Sequence, residues 1–364
     1  MDKIHLTRKI RLLIDSTDPE FIYEAKGKIM AWQNACCRCA NLVYSHQYIQ
    51  EQIKDMVYLT EGIKLKVTDA TKNPDGMLTS SRTNSTYKVL TEHFKGLVPS
   101  NIYNNLNNIL VGTFSRDKEH YYKGERAIKS FKKDMAMPFS GECVRKLSEV
   151  PDGSYFTFTL FGIPFRTFLG RPFDEKRELL RGLISGEYKL SLSYLKLEDH
   201  KKLFLLATFE QDKQVHLLND EVIAEASLSL EHPLTVKIGK VRCTIGNKEE
   251  FLYRRLAIQA ARRRVQKCVA TNRSGHGIKR KEKPLESFRH LERDYVEYKL
   301  HLYSRRLIDL CLKHHAATLI LTNQMEKEEA AKDEGFVVRN WSYGKLKDKI
   351  AYKADKAGIN LIVE

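Results

Sequence analysis

The chain has 364 residues, 42% hydrophobic and 10% aromatic, which is long enough for two or three domains with sizeable cores and too apolar for a disordered polypeptide. Lys and Arg number 62 against 46 Asp and Glu, a formal charge of +16 that points to a polyanionic partner and favours nucleic acid over a membrane surface. No run approaches the roughly 18 apolar residues of a membrane span, and MDKIHLTRKIRLLI alternates polar with apolar, so neither a spanning segment nor an export signal is expected. Seven cysteines spread over this length fit reduced thiols in a cytoplasmic protein. Cys36, Cys37 and Cys39 include one CxxC, but no second pair follows at zinc-finger spacing, so a buried helix face is expected there and no metal.

Alternation over residues 3–14 predicts a half-buried strand. Thr17, Asp18 and Pro19 supply a helix start, and Ile22, Ala25, Ile29, Trp32, Cys36, Cys39 and Val43 recur at three and four, predicting a helix to about residue 58. A polar connector (68–85) leads to a further helical pattern over 86–134, rich in Lys, Asn and Tyr. The texture then changes: segments 155–170, 187–197 and 202–210 are β-branched and aromatic, broken by Gly, Pro and Asp. The expectation is a small β-barrel formed by 1–15 and 136–211, with a helical lobe inserted over 16–135.

After residue 220 the order is strand (222–230), strand (234–238), a Gly239-Lys240 turn, strand (241–245), helices, strand (318–322), helix (343–357) stopped at Gly358, and strand (359–363). Hairpin-linked strands followed by helix-crossover strands, which must pair in parallel, give an RNase H-like sheet spanning 220–364. Its helical insertion, 251–315, is strongly basic at its start. Residues 251–284 hold Arg254, Arg255, Arg262, Arg263, Arg264, Lys267, Arg273, Lys279, Arg280, Lys281 and Lys283 against the single acid Glu282, a net +10. Ile258, Ala261, Val265 and Cys268 form an apolar stripe, leaving the arginines on other faces for phosphate. Segment 271–284 reads as a Gly-punctuated basic loop, followed by a long helix from 286 with Phe288, Leu291, Tyr295, Tyr298 and Leu302 as its stripe.

Arg339, Asn340, Trp341, Tyr343, Leu346, Lys349, Ile350, Lys353 and Gly358 match in order the R-N-W-x-Y/F-x-x-L-x-x-K-I-x-x-K segment, leading into Gly and a strand, of the compact type V-F CRISPR effectors and the related TnpB-type nucleases. Residues 250–266 also resemble that family's post-strand helix. The resemblance covers 222–364; residues 1–210 share only the layout of a wedge barrel interrupted by a recognition lobe. It implies an α+β protein: a wedge-type β-barrel with an inserted helical recognition lobe, then a RuvC-like α/β domain with a basic helical insertion.

The first nuclease strand of that family reads G-[IV]-D-L-G-[IV]-x-x-P. Leu228, Leu230 and Pro233 set a register that places Ser227 at the catalytic Asp and Ser229 at the second Gly. LILTNQ (319–324) places Thr322 at the second acid, and the family's third acid lies beyond the last strand, past Glu364. Two-metal cleavage needs carboxylates around two divalent ions, and Ser and Thr hydroxyls are poor magnesium ligands. Glu225 stands two residues from Ser227, nearly 7 Å along a strand.

The resemblance therefore implies RNA-guided DNA binding without cleavage, with no catalytic cofactor, magnesium only as a counterion, guide RNA as the essential partner and double-stranded DNA as the target. RNA or heteroduplex contact falls to the eleven cations above and Arg339; Tyr87, Lys88, Tyr103, Asn104 and Asn107 are candidates for reading a flanking DNA motif. Transcription control by blocking polymerase or recruiting a sigma factor, a homodimer on one RNA, and a bacterial nucleoid-associated location are consistent expectations. The acidic stretch 325–335 reads as a solvated helix or a dock for a basic partner. The alternatives are a metal-dependent nuclease with displaced ligands and an RNA-binding scaffold without a DNA target.

Overall fold

The computed structural model describes residues 3–56, 82–170, 175–198, 202–212, 216–227, 232–270, 278–322 and 343–364. They form two compact units, Lys3–Gln211 and Asp212–Glu364, each with its own hydrophobic core.

In the first unit, β1 (Lys3–Ile14) buries Ile4, Leu6, Ile10, Leu12 and Ile14, as the alternation predicts. Asp18 accepts the Glu20 amide at 3.0 Å and Pro19 opens α1 (Pro19–Met56), whose first turn needs no proline N–H. Helices α2 (Arg82–Phe94) and α3 (Ser100–Tyr122) pack on α1. Burial fixes the three clustered cysteines as core: it pushes the Cys36 thiol far up and that of Cys39 up to about 12. The helical pattern expected to run to 134 stops at Tyr122, where Lys123 and the left-handed Gly124 (φ 70°) cap it. The chain beyond is pinned by Asn41, whose amide exchanges two hydrogen bonds with the Phe131 backbone and holds that ring against Tyr44.

The remaining strands are β2 (Met137–Phe139), β3 (Val144–Glu149), β4 (Phe156–Leu160), β5 (Ile163–Phe168), β6 (Lys189–Leu190), β7 (Ser193–Glu198) and β8 (Lys202–Asp212). They form an eight-stranded sheet in the order β2-β7-β8-β1-β5-β4-β3, with β6 also on β8, so the N-terminal strand lies at its centre. The sheet is open, not the closed barrel expected. Its edge strands β2 and β3 are joined by the 3-10 turn Gly141–Cys143, a reach of at most about 17 Å, yet do not pair. The backbone of β6 stands in the gap: a Cβ on Gly141 would collide with the Leu190 carbonyl. A helix that the strand-rich texture concealed, α4 (Glu175–Ser185), docks through Arg177, which donates to the Gly153 and Ser154 carbonyls. The α1–α3 helices and this sheet share one core.

The second unit contains β9 (Asn219–Ser227), β10 (Leu234–Ile238), β11 (Val241–Ile245), α5 (Lys248–Ala270), α6 (Ile278–Lys313), β12 (Ala316–Thr322), α7 (Tyr343–Ala357) and β13 (Asn360–Val363). The order is β11-β10-β9-β12-β13; β9 pairs antiparallel with β10 and parallel with β12, and β13 is parallel to β12, matching the crossover argument. One face is covered by α6 and α7: Ala224, Ala226, Val236, Leu319 and Leu321 meet Leu300, Tyr303, Leu307, Leu346, Ile350 and Ala354. Gly246 (φ 81°) cannot be replaced cheaply, because an added Cβ would stand 2.7 Å from the Tyr303 ring.

Candidate nucleic-acid interface

Ser227 and Thr322 end adjacent parallel strands as register partners, with Ala226 and Leu321 beside them buried on the opposite face. Ser227 also partners Thr235, which partners Thr244, so four hydroxyl side chains form one row across β12, β9, β10 and β11. The adjacent row holds Ile320, Glu225, Lys237 and Arg242. Glu225 is held by Lys237 at 3.2 Å, and Glu364 continues the pairing of β13 by donating its amide to the Leu321 carbonyl. Among the described residues no group of three His, Cys, Asp or Glu side chains is placed to hold a metal ion. Leu228, Ser229, Leu230 and Glu231 lie outside the described residues.

The basic insertion is a helix pair. Phe251 and Arg255 of α5 face α6, which returns antiparallel: Arg255 meets Glu292 at 2.7 Å, Lys299 meets Glu250, and Phe251 meets Tyr295 with ring centroids 5.7 Å apart; Ile258 is buried and Val265 half-buried. Arg255 therefore ties the pair together, with its side chain 11% exposed, and is removed from the phosphate-facing set. The Arg255 guanidinium lowers the Glu292 carboxyl against an opposing desolvation cost. Arg254, Arg262, Arg263, Arg264, Lys267 and Lys283 are exposed as expected. Among the described residues Arg254, Arg262, Arg263 and Arg264 make no carboxylate ion pair. Lys279, Arg280 and Lys281 lie on the first turn of α6, whereas Arg273 and Arg339 lie outside the described residues.

The loop expected over 271–284 is helical from Ile278 onward, carrying Pro284 inside α6. The expected stripe of α6 holds in part: Phe288, Tyr295 and Leu302 are half-buried. Leu291 and Tyr298 are exposed and Cys268 of α5 is exposed too, while Leu300, Tyr303, Leu307, Ile308 and Cys311 supply the core. Tyr295 of the expected stripe does pack inward, against Phe251, and Tyr303 is part of the buried seam.

Three lysines of α7 tie it to α6, to which it runs parallel. Lys345 and Lys349 bracket Glu297 at 3.1 and 2.8 Å, and Lys353 donates to the His301 carbonyl at 2.6 Å and Ser304 Oγ at 2.8 Å. Burial, with Arg305 and Lys349 nearby, holds the Lys353 ammonium down to about 8. Leu346 and Ile350 are fully buried and Gly358 (φ 71°) ends the helix. Arg339, Asn340 and Trp341, like the acidic stretch 325–335, lie outside the described residues.

In the first unit, the five flanking-motif candidates split. Lys88 and Asn104 are exposed on α2 and α3. Tyr103 is 3% exposed and tilts against the half-buried Tyr87, centroids 5.8 Å apart; Asn107 is fully buried and donates to the Thr83 carbonyl at 3.0 Å. Tyr103 and Asn107 thus stitch α3 to α2 and present nothing to a ligand. Asn101 and Asn105, which the sequence reading passed over, bind Ser140 and fix the start of the turn at the sheet seam.

No protein-family model matches the chain. It is 25% identical over 269 residues to the CRISPR-associated endodeoxyribonuclease Cas12f1 of Sulfoacidibacillus thermotolerans, covering 68% of this chain and 62% of that relative. It is 30% identical over 125 residues to the Cas12f1 of Syntrophomonas palmitatica, covering 33% of this chain and 24% of that one. The chain thus spans less than two thirds of the length of these curated relatives. Among solved structures, a Cas12f1-sgRNA-target DNA complex superposes with a TM-score of 0.69 at 14% identity, covering 99% of this chain and 88% of that chain, a likeness of fold.

Proposed function

The chain is a relative of the compact type V-F CRISPR effectors and TnpB-like proteins, and from that premise we propose that it is an RNA-guided DNA-binding protein that does not cut. The observation that carries the second half is the hydroxyl row. Where the family pattern calls for acids, Ser227 and Thr322 stand side by side, extended by Thr235 and Thr244. The metal pair that such nucleases use does not fit this donor set, because neutral hydroxyls leave two divalent charges uncompensated. Glu225 is engaged by Lys237 and sits one row away.

The exposed arginines of α5 support the first half. Arg254, Arg262, Arg263 and Arg264 are placed for phosphates of the guide RNA or its heteroduplex, with pairing of the guide supplying sequence choice. Lys88 and Asn104 remain the candidates for reading a flanking DNA motif, since Asn bonds adenine edges and Lys contacts phosphate. Occupancy without cleavage serves transcription control, by blocking polymerase or by recruiting a partner such as a sigma factor. Assembly of two copies on one RNA and a place on the bacterial nucleoid belong to the same reading.

Sequencing the RNA that copurifies with the chain tests it. A structured scaffold joined to a short variable guide is the expected result; bulk ribosomal or transfer RNA overturns the guided reading in favour of a general RNA-binding scaffold.

A further inference from the structure

The three lysines that α7 turns toward α6 keep unlike company. Lys345 and Lys349 both reach the Glu297 carboxylate, at 3.1 and 2.8 Å. Lys353 Nζ meets only neutral acceptors among the described residues, the His301 carbonyl at 2.6 Å and Ser304 Oγ at 2.8 Å. The charged groups around it are Arg305 and Asp309 of α6 and Lys349, one turn back on α7. Lys349 also shares a 3.0 Å hydrogen bond with His301 Nε2, and Arg305 stands 3.7 Å from Asp309. Two cations and one acid thus surround an amine that no carboxylate holds among the described residues.

Each part of this setting disfavours the ammonium form. Burial between the helices withdraws water and the two cations repel a third positive charge, so the amine is held down to about 8. At pH 8 about half of Lys353 is then the free base, against under ~1% of a lysine at the ordinary 10.5. The same neighbours favour an anion at this position, since Arg305 and Lys349 attract a negative charge as strongly as they repel a positive one. The side chain is half-buried, which leaves it open to a small neutral molecule from water.

We propose that Lys353 is a modification site for carbon dioxide, converted reversibly to its carbamate with Arg305 and Lys349 as counter-ions of the new anion. The lone pair of the free Nζ bonds to the carbon of CO2, one C–O π bond opens onto its oxygen, and an N–H proton passes to water or bicarbonate. Nothing is oxidised and no group leaves. The remaining N–H keeps its bond to the His301 carbonyl. A site of like charges becomes one with a matched anion, so carbon dioxide tightens the contact between α6 and α7. The site lies wholly in the second unit and rests on no nucleic-acid reading of it.

The test is trapping on the full-length chain at pH 8, in buffer equilibrated with 13C-labelled carbon dioxide, by triethyloxonium ion with peptide mapping. A labelled ethoxycarbonyl group on Lys353 is expected, and at least about tenfold less of it at pH 6 under the same gas pressure, where the amine is protonated. Arg305→Gln lowers the labelled fraction about two- to fivefold, the worth of an exposed ion pair, and Lys353→Met abolishes it. Carbon dioxide also raises the melting temperature of the wild type over an argon control of equal pH and ionic strength, and leaves Lys353→Met unmoved. No label on Lys353, or label there no greater than on the exposed Lys240, overturns the proposal without recourse to any variant. A melting shift that persists in Lys353→Met overturns it as well.

Discussion

Ser227 and Thr322 are register partners at the carboxyl ends of the parallel strands β9 and β12, and both side chains leave the sheet on the face opposite α6 and α7. Neighbouring strands stand about 4.8 Å apart, so carboxylates installed at these two positions converge on a single cation. Ser227→Asp with Thr322→Glu is expected to lower stability by about 0.2–1 kcal/mol without metal, through like charges set directly opposite. Manganese should then raise the melting temperature of the variant and leave the wild type unmoved, as read by differential scanning fluorimetry. A wild type equally stabilised by manganese would show that other groups hold the ion.

The arginines of α5 divide by what they touch. Arg262, Arg263 and Arg264 are exposed, so reversing all three to Glu is expected to abolish RNA retention on purification while the melting temperature stays within a few degrees. An unchanged RNA yield from that variant contradicts the assignment of this helix.

Arg255 behaves differently. Its truncation to Ala leaves Glu292, among the described residues, with the weaker bond from Gln259 at 3.3 Å, a loss of about 1–3 kcal/mol for a charge-assisted bond. Urea denaturation should show a lower midpoint for Arg255→Ala and none for Arg263→Ala.

Lys353 gives a pH signature. Its ammonium is held down to about 8 when folded, below the ordinary lysine value of 10.5. Its charge therefore opposes folding most fully below pH 8, and the opposition fades as pH rises toward 10.5. Wild type should gain stability relative to Lys353→Met across that window, measured by chemical denaturation at pH 7 and pH 10; a constant difference would mean that Lys353 titrates normally.

On α3, Asn107→Ala breaks the bond to the Thr83 carbonyl inside the core and should cost about 1–3 kcal/mol with or without DNA. Asn104→Ala is expected to leave the melting temperature unchanged and to weaken discrimination among flanking DNA motifs in a binding selection.

Most strands and helices, though not the strands β2 and β3, were legible from residue patterning because burial alternates cleanly in β1, β4 and β8 and because Asp18 with Pro19 marks the start of α1. The parallel crossover pairing of the second sheet was legible, since crossover connections leave few topologies, whereas the register that sets Ser227 beside Thr322 was not. What patterning missed was tertiary. A charge pattern cannot tell Arg255, which finds Glu292 across a helix pair, from Arg254 beside it. Tyr103 and Asn107 share a helix with Asn104 but face inward, and the sheet stays open because Leu190 fills the seam beside Gly141.

Cleavage of DNA is the most direct measurement. The chain purified with its own RNA, incubated in magnesium with a labelled duplex carrying the sequence that RNA specifies, is expected to retard and footprint the duplex while leaving both strands intact. Magnesium-dependent scission of either strand by the wild-type complex, absent when the RNA is omitted, would contradict a binder without a nuclease.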